Sequence, residues 1–336
     1  MVRLSVIVAI VAACSGSSAV RSDGARSDEA TAASDCGTDM IGSLTDFMAQ
    51  VSAAIRSSAG SGTNALAIPS TADRDGFAAL VMQVLGGDNA AACSLPAPYQ
   101  LQRWTDPHAG ALRVVVEQPS PALFWGTYVA NPAWSRDLAI EAPHPISDTN
   151  TELQSTAVFV QTGARYLTVA GTHRCADPGA STCTGTTTAC GASAPYRVSD
   201  TAHTDLLPFY AVHTLQSAQD SDLLFLQLHG NSDTPCPDAL VSDSSGAWSD
   251  SDPAGRFGAA LIAQGVNVGK CGMGFPITGC SLCGTDNVEA RWTAGSTNAC
   301  TQLGTSYGRF VHIEQHLSLR TAPYQAMIDA VKAAIP

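Results

Sequence analysis

Lysine is almost absent from this 336-residue chain, occurring only at Lys270 and Lys332. Charged residues make up 14% of the sequence, and 29 acidic side chains outnumber 17 basic ones, for a formal net charge of −12. There is no basic stripe to neutralise a phosphate backbone, so no nucleic-acid partner is expected. A glycine-rich phosphate loop ending in lysine is also missing, which argues against nucleotide chemistry. A serine-hydrolase elbow is missing as well, since Gly60-Ser61-Gly62 lies in a linker and not at a strand-to-helix turn. No apolar run approaches the ~20 residues of a membrane-spanning helix.

What is present begins with an address. Met1-Val2-Arg3 is a short cationic start, followed by an apolar run over residues 4–13 and then a small-residue stretch. This is the form of a signal peptide. Val11-Ala12-Ala13-Cys14 resembles a bacterial lipobox, which would leave Cys14 as a lipid-bearing first residue; the alternative is an ordinary signal peptide cut a little later. Of the 11 cysteines, removal of Cys14 leaves 10, an even number that suits paired bridges in an oxidising compartment. Cys280-Ser-Leu-Cys283 has redox or zinc-knuckle spacing, but no second such pair accompanies it, and structural disulfides are the expectation.

Residues 15–35, rich in Ser, Ala, Asp and Gly, read as a flexible tether. Apolar residues recur at helical spacing from Met40 to Ile55 and again over 74–85, and residues 36–110 are expected to be a small helical region. From 111 to 336 the pattern becomes that of an α/β domain. Three short apolar strands each run into polar residues: 138–141 into Pro143-His144, 166–170 into Thr172-His173-Arg174, and 223–228 into His229-Gly230. Helical patterns over 151–163 and 206–219 supply crossovers between them. A late strand at 310–314 and a terminal helix over 322–334 follow. Ligand crevices of open α/β sheets lie outside the carboxyl ends of the strands, where these polar residues fall.

His144, Asp148 and His229 form a candidate three-ligand zinc set that would leave one coordination position for water. A histidine/carboxylate set favours zinc (Zn2+) over magnesium or calcium. Glu314, on the late strand, is the candidate base, and Arg174 and Arg320 are candidates to bind a substrate carboxylate. Glu152 is an alternative acidic ligand, and Asp148 could instead cap the helix after it. His312, Glu314 and His316 are a second possible metal cluster.

The order His, acidic residue, Arg, His, Glu is that of zinc carboxypeptidases and their amidohydrolase relatives. The wording resembles the N-formylglutamate amidohydrolase group more closely: Pro143-His144, Ser147-Asp148-Thr149, Leu228-His229-Gly230, Pro237-Asp238, and Val311-His312-Ile313-Glu314 with Arg320 after it. The resemblance spans roughly residues 138–334. It implies a zinc-exopeptidase-like, three-layer α/β/α fold with a mixed, mostly parallel sheet, and zinc-dependent hydrolysis of an amide bond beside a carboxylate. The many cysteines and the insert at 176–200 depart from that pattern. The resulting expectation is an exported, monomeric hydrolase with disulfide-rich loops, touching the membrane only through a lipid on Cys14 and acting on a small molecule or peptide. A non-catalytic surface binding lipoprotein and a metal-dependent esterase or deacylase are the alternatives.

Overall fold

A computed structural model describes residues 35–118, 120–231, 236–246, 249–271, 280 and 282–336. In chain order its elements are β1 (Gly37–Ile41), α1 (Leu44–Ser58), α2 (Thr71–Leu85), β2 (Tyr99–Asp106), β3 (Gly110–Glu117), β4 (Thr127–Ala130), β5 (Arg136–Ala142), α3 (Thr151–Thr162) and β6 (Ala164–Val169). Then come the two-residue strands β7 (Thr186–Thr187) and β8 (Ala194–Pro195), α4 (Pro208–Gln219), β9 (Leu224–Gly230), β10 (Ala239–Ser242) and α5 (Pro253–Ala263). The chain ends with β11 (Val268–Lys270), α6 (Val288–Thr293), β12 (Phe310–Gln315) and α7 (Gln325–Ala334). Among the described residues no helix is long and apolar enough to cross a membrane.

Ten strands form one mixed sheet in the order β1-β2-β3-β4-β6-β5-β9-β12-β10-β11. Five of its nine pairings are parallel, including the continuous block β6-β5-β9-β12. That block reads as apolar runs because helices cover both faces, which is the condition under which parallel strands persist. Helices α1, α3, α7 and α5 pack side by side in one layer, and α2, α4 and α6 in the other. The sheet between them carries the core, with Leu138, Ile140, Leu226, Leu228, Val311 and Ile313 all buried.

Topology explains where chemistry can sit. From β5 the chain crosses through α3 to β6 on one side; from β6 it crosses back through α4 to β9 on the other side of β5. Right-handed crossovers in opposite directions require α3 and α4 to lie on opposite faces. The carboxyl ends of β5 and β9 therefore lie at a topological switch point, where open α/β sheets place their ligand sites. His144 follows β5 by two residues and His229 is the penultimate residue of β9.

The amino-terminal region departs from expectation. Both helices form, each with a serine at its N-cap accepting a backbone N–H: Ser43 from Asp46 and Ser70 from Asp73. They are not alone, however. β1 pairs in parallel with β2, and β2 runs antiparallel to β3, so residues 36–110 extend the sheet and are not a separate helical cap. Met40 and Ile41 belong to β1 because Ser43 stops the helix from reaching back to them.

The ten cysteines pair as Cys36–Cys93, Cys175–Cys190, Cys183–Cys300, Cys236–Cys280 and Cys271–Cys283. Cys280 and Cys283 bond to different partners, which removes the redox reading of their spacing. Five disulfides suit an oxidising compartment. The expected signal peptide and nearly all of the tether lie outside the described residues.

Candidate metal centre

β9 and β12 run parallel with Glu314 directly opposite His229, and β5 lies on the other side of β9. After Ala142 the chain turns through Pro143-His144-Pro145 in a tight loop in which Ile146 and Asn150 take positive φ. The backbone N–H of Asp148 donates to the carbonyl of His144, at 3.0 Å, returning the Asp148 carboxylate over the His144 ring. α3 starts at Thr151, and its N-cap residue is Asn150. Asp148 is thus not the cap of this helix; its Oδ2 accepts from the backbone N–H of Gly230 (3.0 Å) and faces the histidines. Glu152 points the other way, accepting from Ser52 Oγ on α1 and from the N–H of Ile146. It braces the loop and is not brought to the cluster.

Three atoms converge. His144 Nδ1 lies 3.2 Å from Asp148 Oδ2 and 3.2 Å from His229 Nδ1, and His229 Nδ1 lies 3.7 Å from Asp148 Oδ2. Ligands about 2.0–2.1 Å from a tetrahedral zinc are separated by about 3.3 Å. The three edges therefore match the face that such an ion needs. The outer nitrogens are already committed: His144 Nε2 to Asp200 Oδ1 at 2.8 Å, and His229 Nε2 to Gln227 Oε1 at 2.7 Å. With their protons on Nε2, both neutral rings turn Nδ1 lone pairs toward each other and toward a carboxylate. A cation satisfies such a set. Against burial and the Arg174 charge, Asp148 and Asp200 raise the pKa of His144, while burial lowers that of His229 to about 4.

Asp200 is the hub behind the cluster. Its Oδ1 also takes His203 Nδ1 (3.0 Å), and its Oδ2 accepts from Arg174 Nη2 (2.7 Å) and Nε (3.3 Å). Fully buried, it is nevertheless held well below the usual carboxylate range by Arg174, His203 and His144. Sequence reasoning missed it because it closes the 176–200 insert, which looks like surplus loop. Two disulfides hold that insert, Cys175–Cys190 and Cys183–Cys300, and Tyr196 within it stacks on His203 with ring centroids 3.9 Å apart.

Glu314 is reached from the β12 side. Burial first, and then the Asp148 charge, push its carboxyl up to about 8. His312, two residues earlier on the same face, approaches it at 3.7 Å and packs at a tilt against His229, with ring centroids 4.5 Å apart. A Cβ on Gly284 would lie 2.7 Å from the His312 ring, so only glycine fits there. The cluster of His312, Glu314 and His316 does not form: β12 ends at Gln315, and His316 turns away toward Asp238. Arg320, the second expected substrate contact, donates instead to the backbone carbonyls of Gln315, Thr149 and Asn231. It braces the loop ends, and it can pass there because Gly230 has no side chain; a Cβ would lie 2.3 Å from its Cζ. Arg174 does reach the cluster, where its charge acts on both Asp148 and Glu314.

Among the described residues, two further groups hold ligand atoms within 4.8 Å of one another, His144–Asp200–His203 and His229–His312–Glu314, and both share a histidine with the central set. A fourth, Cys183–Asp205–Cys300, has both sulfurs in a disulfide and none free to ligate.

No protein-family model matches the chain, and no curated protein matches it in sequence. Among solved structures it is similar to an N-formylglutamate amidohydrolase from Ralstonia eutropha JMP134, at 15% identity and a TM-score of 0.35, covering 60% of this chain and 92% of that one. It is also similar to a metallo-carboxypeptidase from Burkholderia cenocepacia, at 13% identity and a TM-score of 0.33, covering 79% of this chain and 68% of that one. These are the two kinds of protein that the sequence motifs resemble.

Proposed function

We propose that this protein is a zinc-dependent hydrolase of an amide or peptide bond beside a carboxylate, held outside the cell membrane by a lipid on Cys14. The observation that carries the reading is the convergence of His144 Nδ1, His229 Nδ1 and Asp148 Oδ2, each a lone-pair donor with its other contacts already made. In this reading these three atoms hold the metal. A bound zinc supplies Lewis acidity toward a carbonyl and toward water. Glu314 takes the proton released when water attacks and returns it to the leaving amine. A cation at the cluster favours its ionised form over the protonated form that burial imposes without one. Arg174, fixed along one edge by Asp200, directs its remaining N–H donors at the substrate's carboxylate. N-acyl amino acids, γ-glutamyl compounds and short peptides present the required amide beside a carboxylate, and one chain contains all of the residues the reaction uses.

The test is the metal content of the full, oxidised chain. About one zinc per chain, lost in His144→Ala and in His229→Ala, together with turnover of N-acyl amino acids or γ-glutamyl peptides, is the expected result. Absence of zinc uptake from a metal buffer overturns the proposal. Stoichiometric zinc with hydrolysis of esters alone would replace the amide with an ester. Lipid on Cys14 is checked separately by the membrane retention of wild type and its loss in Cys14→Ala.

A further inference from the structure

Gln227 and His229 are two residues apart on β9, so their side chains share a face, and the Gln227 amide lies directly behind the imidazole. Which nitrogen of His229 is free for a ligand depends on which carries the proton, and that depends on what Gln227 offers. An amide can present either its oxygen or its nitrogen. Here the choice is forced by a chain of contacts that begins at a backbone donor.

Asn287 is the N-cap of α6. Its Oδ1 accepts from the backbone N–H of Ala290 at 2.9 Å, and a backbone N–H can only donate. The Asn287 amide nitrogen must then face the other way, where it donates to Gln227 Oε1. On its far side Gln227 Nε2 meets two carboxylates, Glu141 Oε2 at 3.0 Å and Glu289 Oε2 at 3.4 Å. Turning the Gln227 amide over would set its oxygen against Glu141 Oε2 and its NH2 against that of Asn287. Every one of these side chains is buried. Gln227 Oε1 is therefore an acceptor, and its contact with His229 at 2.7 Å requires a proton on His229 Nε2.

We infer that Gln227 is a positioning residue: locked by Asn287 and Glu141, it holds His229 as the Nε2–H tautomer and so keeps Nδ1 open toward His144 and Asp148. The inference deepens the proposed metal site and rests on it for its purpose, but the tautomer is a property of the metal-free chain. Partners behind a ligating histidine are worth about 10–100-fold in metal affinity.

The test uses the full chain with 15N-labelled histidine, stripped of metal by chelator, and reads the His229 ring by long-range proton–nitrogen correlation. Wild type should show the proton on Nε2 alone. Gln227→Met, similar in size but without the acceptor, should populate both tautomers and bind zinc about 10–100-fold more weakly in chelator competition. Asn287→Asp keeps the helix cap but removes the donor to Gln227, and should shift the tautomer in the same direction. A wild-type His229 protonated on Nδ1 overturns the inference even if neither variant folds. So does a folded Gln227→Met with unchanged tautomer and affinity. The two ideas fail separately. The Nε2–H tautomer without zinc uptake sinks only the metal reading, while zinc uptake with the opposite tautomer sinks only this one.

Discussion

Two buried clusters of histidine and carboxylate lie one behind the other along the sheet, and they differ in what they leave unfinished. The deeper one contains Glu141, His213, Gln227 and Glu289. His213 uses both ring nitrogens there, Nδ1 with Glu141 at 2.8 Å and Nε2 with Thr293 at 2.7 Å, while its ring packs on Phe225. In the outer cluster His144 and His229 commit Nε2 to Asp200 and Gln227, and their Nδ1 atoms meet 3.2 Å apart beside Asp148. Residue types and burial are nearly the same in the two. What marks the outer cluster as a site is that two imidazole nitrogens and a carboxylate oxygen converge on one point. The inner network, in which His213 is tied at both nitrogens, braces the strand on which the outer one is built.

The sharpest contrast should come from removing one histidine of each kind. His144→Ala or His229→Ala is expected to lower zinc affinity by more than about 100-fold, beyond the cost of losing only an outer partner. His213→Ala should retain one zinc per chain yet lose about 1–3 kcal/mol of stability, because Glu141 Oε1 is left buried without a partner while Oε2 keeps Gln227. Chelator competition and urea unfolding on the same three proteins separate the two effects. Equal loss of zinc in all three would erase the distinction between the clusters.

Asp200→Asn should come next. It keeps the shape behind His144 but weakens the charge that holds both His144 and Arg174, and should cost about 10–100-fold in zinc affinity. Gly230→Ala acts where the loops are braced: its Cβ would meet the Arg320 guanidinium, and displacement of that side chain should cost about 1–3 kcal/mol in thermal or urea unfolding.

The smallest effect is expected at Glu289, and it depends on pH. Burial, and then Glu141, raise its pKa well above the usual value. A carboxyl whose folded pKa is raised contributes its stability below the unfolded value, near 4.5, and loses it progressively as pH rises toward the folded pKa. Glu289→Gln imitates the protonated form at every pH. Relative to wild type, it should therefore gain stability as pH rises from 5 to 8, with zinc content unchanged. Parallel stability–pH curves for the two proteins would show that Glu289 carries no such shift.

Much of the central sheet could be read from the chain. β5, β6, β9 and β12 are apolar runs ending in polar residues, a local pattern that the covering helices impose on parallel strands. β1, β2, β10 and β11 escaped notice because they are edge or near-edge strands, short or mixed in polarity, whose pairing depends on a partner distant in sequence. The same limit applied to single residues. His144, Asp148, His229 and Glu314 stand out because they fall at strand ends. Asp200, Gln227 and Asn287 are common residue types in undistinguished settings, and their importance exists only through contacts to positions between 2 and 86 residues away.

By itself, the sequence determined the alternation of strands and helices, the even set of ten cysteines, and the placing of histidines and acids at the carboxyl ends of strands. These are consequences of local periodicity and composition. Tertiary structure alone decided that Glu152 braces a loop while Asp148 faces the histidines, that Arg320 is spent on carbonyls while Arg174 is not, and which cysteines pair. Each of those outcomes depends on the direction in which a hydrogen-bonding group points once its neighbours are in place. Direction is set by packing between elements far apart in the chain, and no local pattern of residues encodes it.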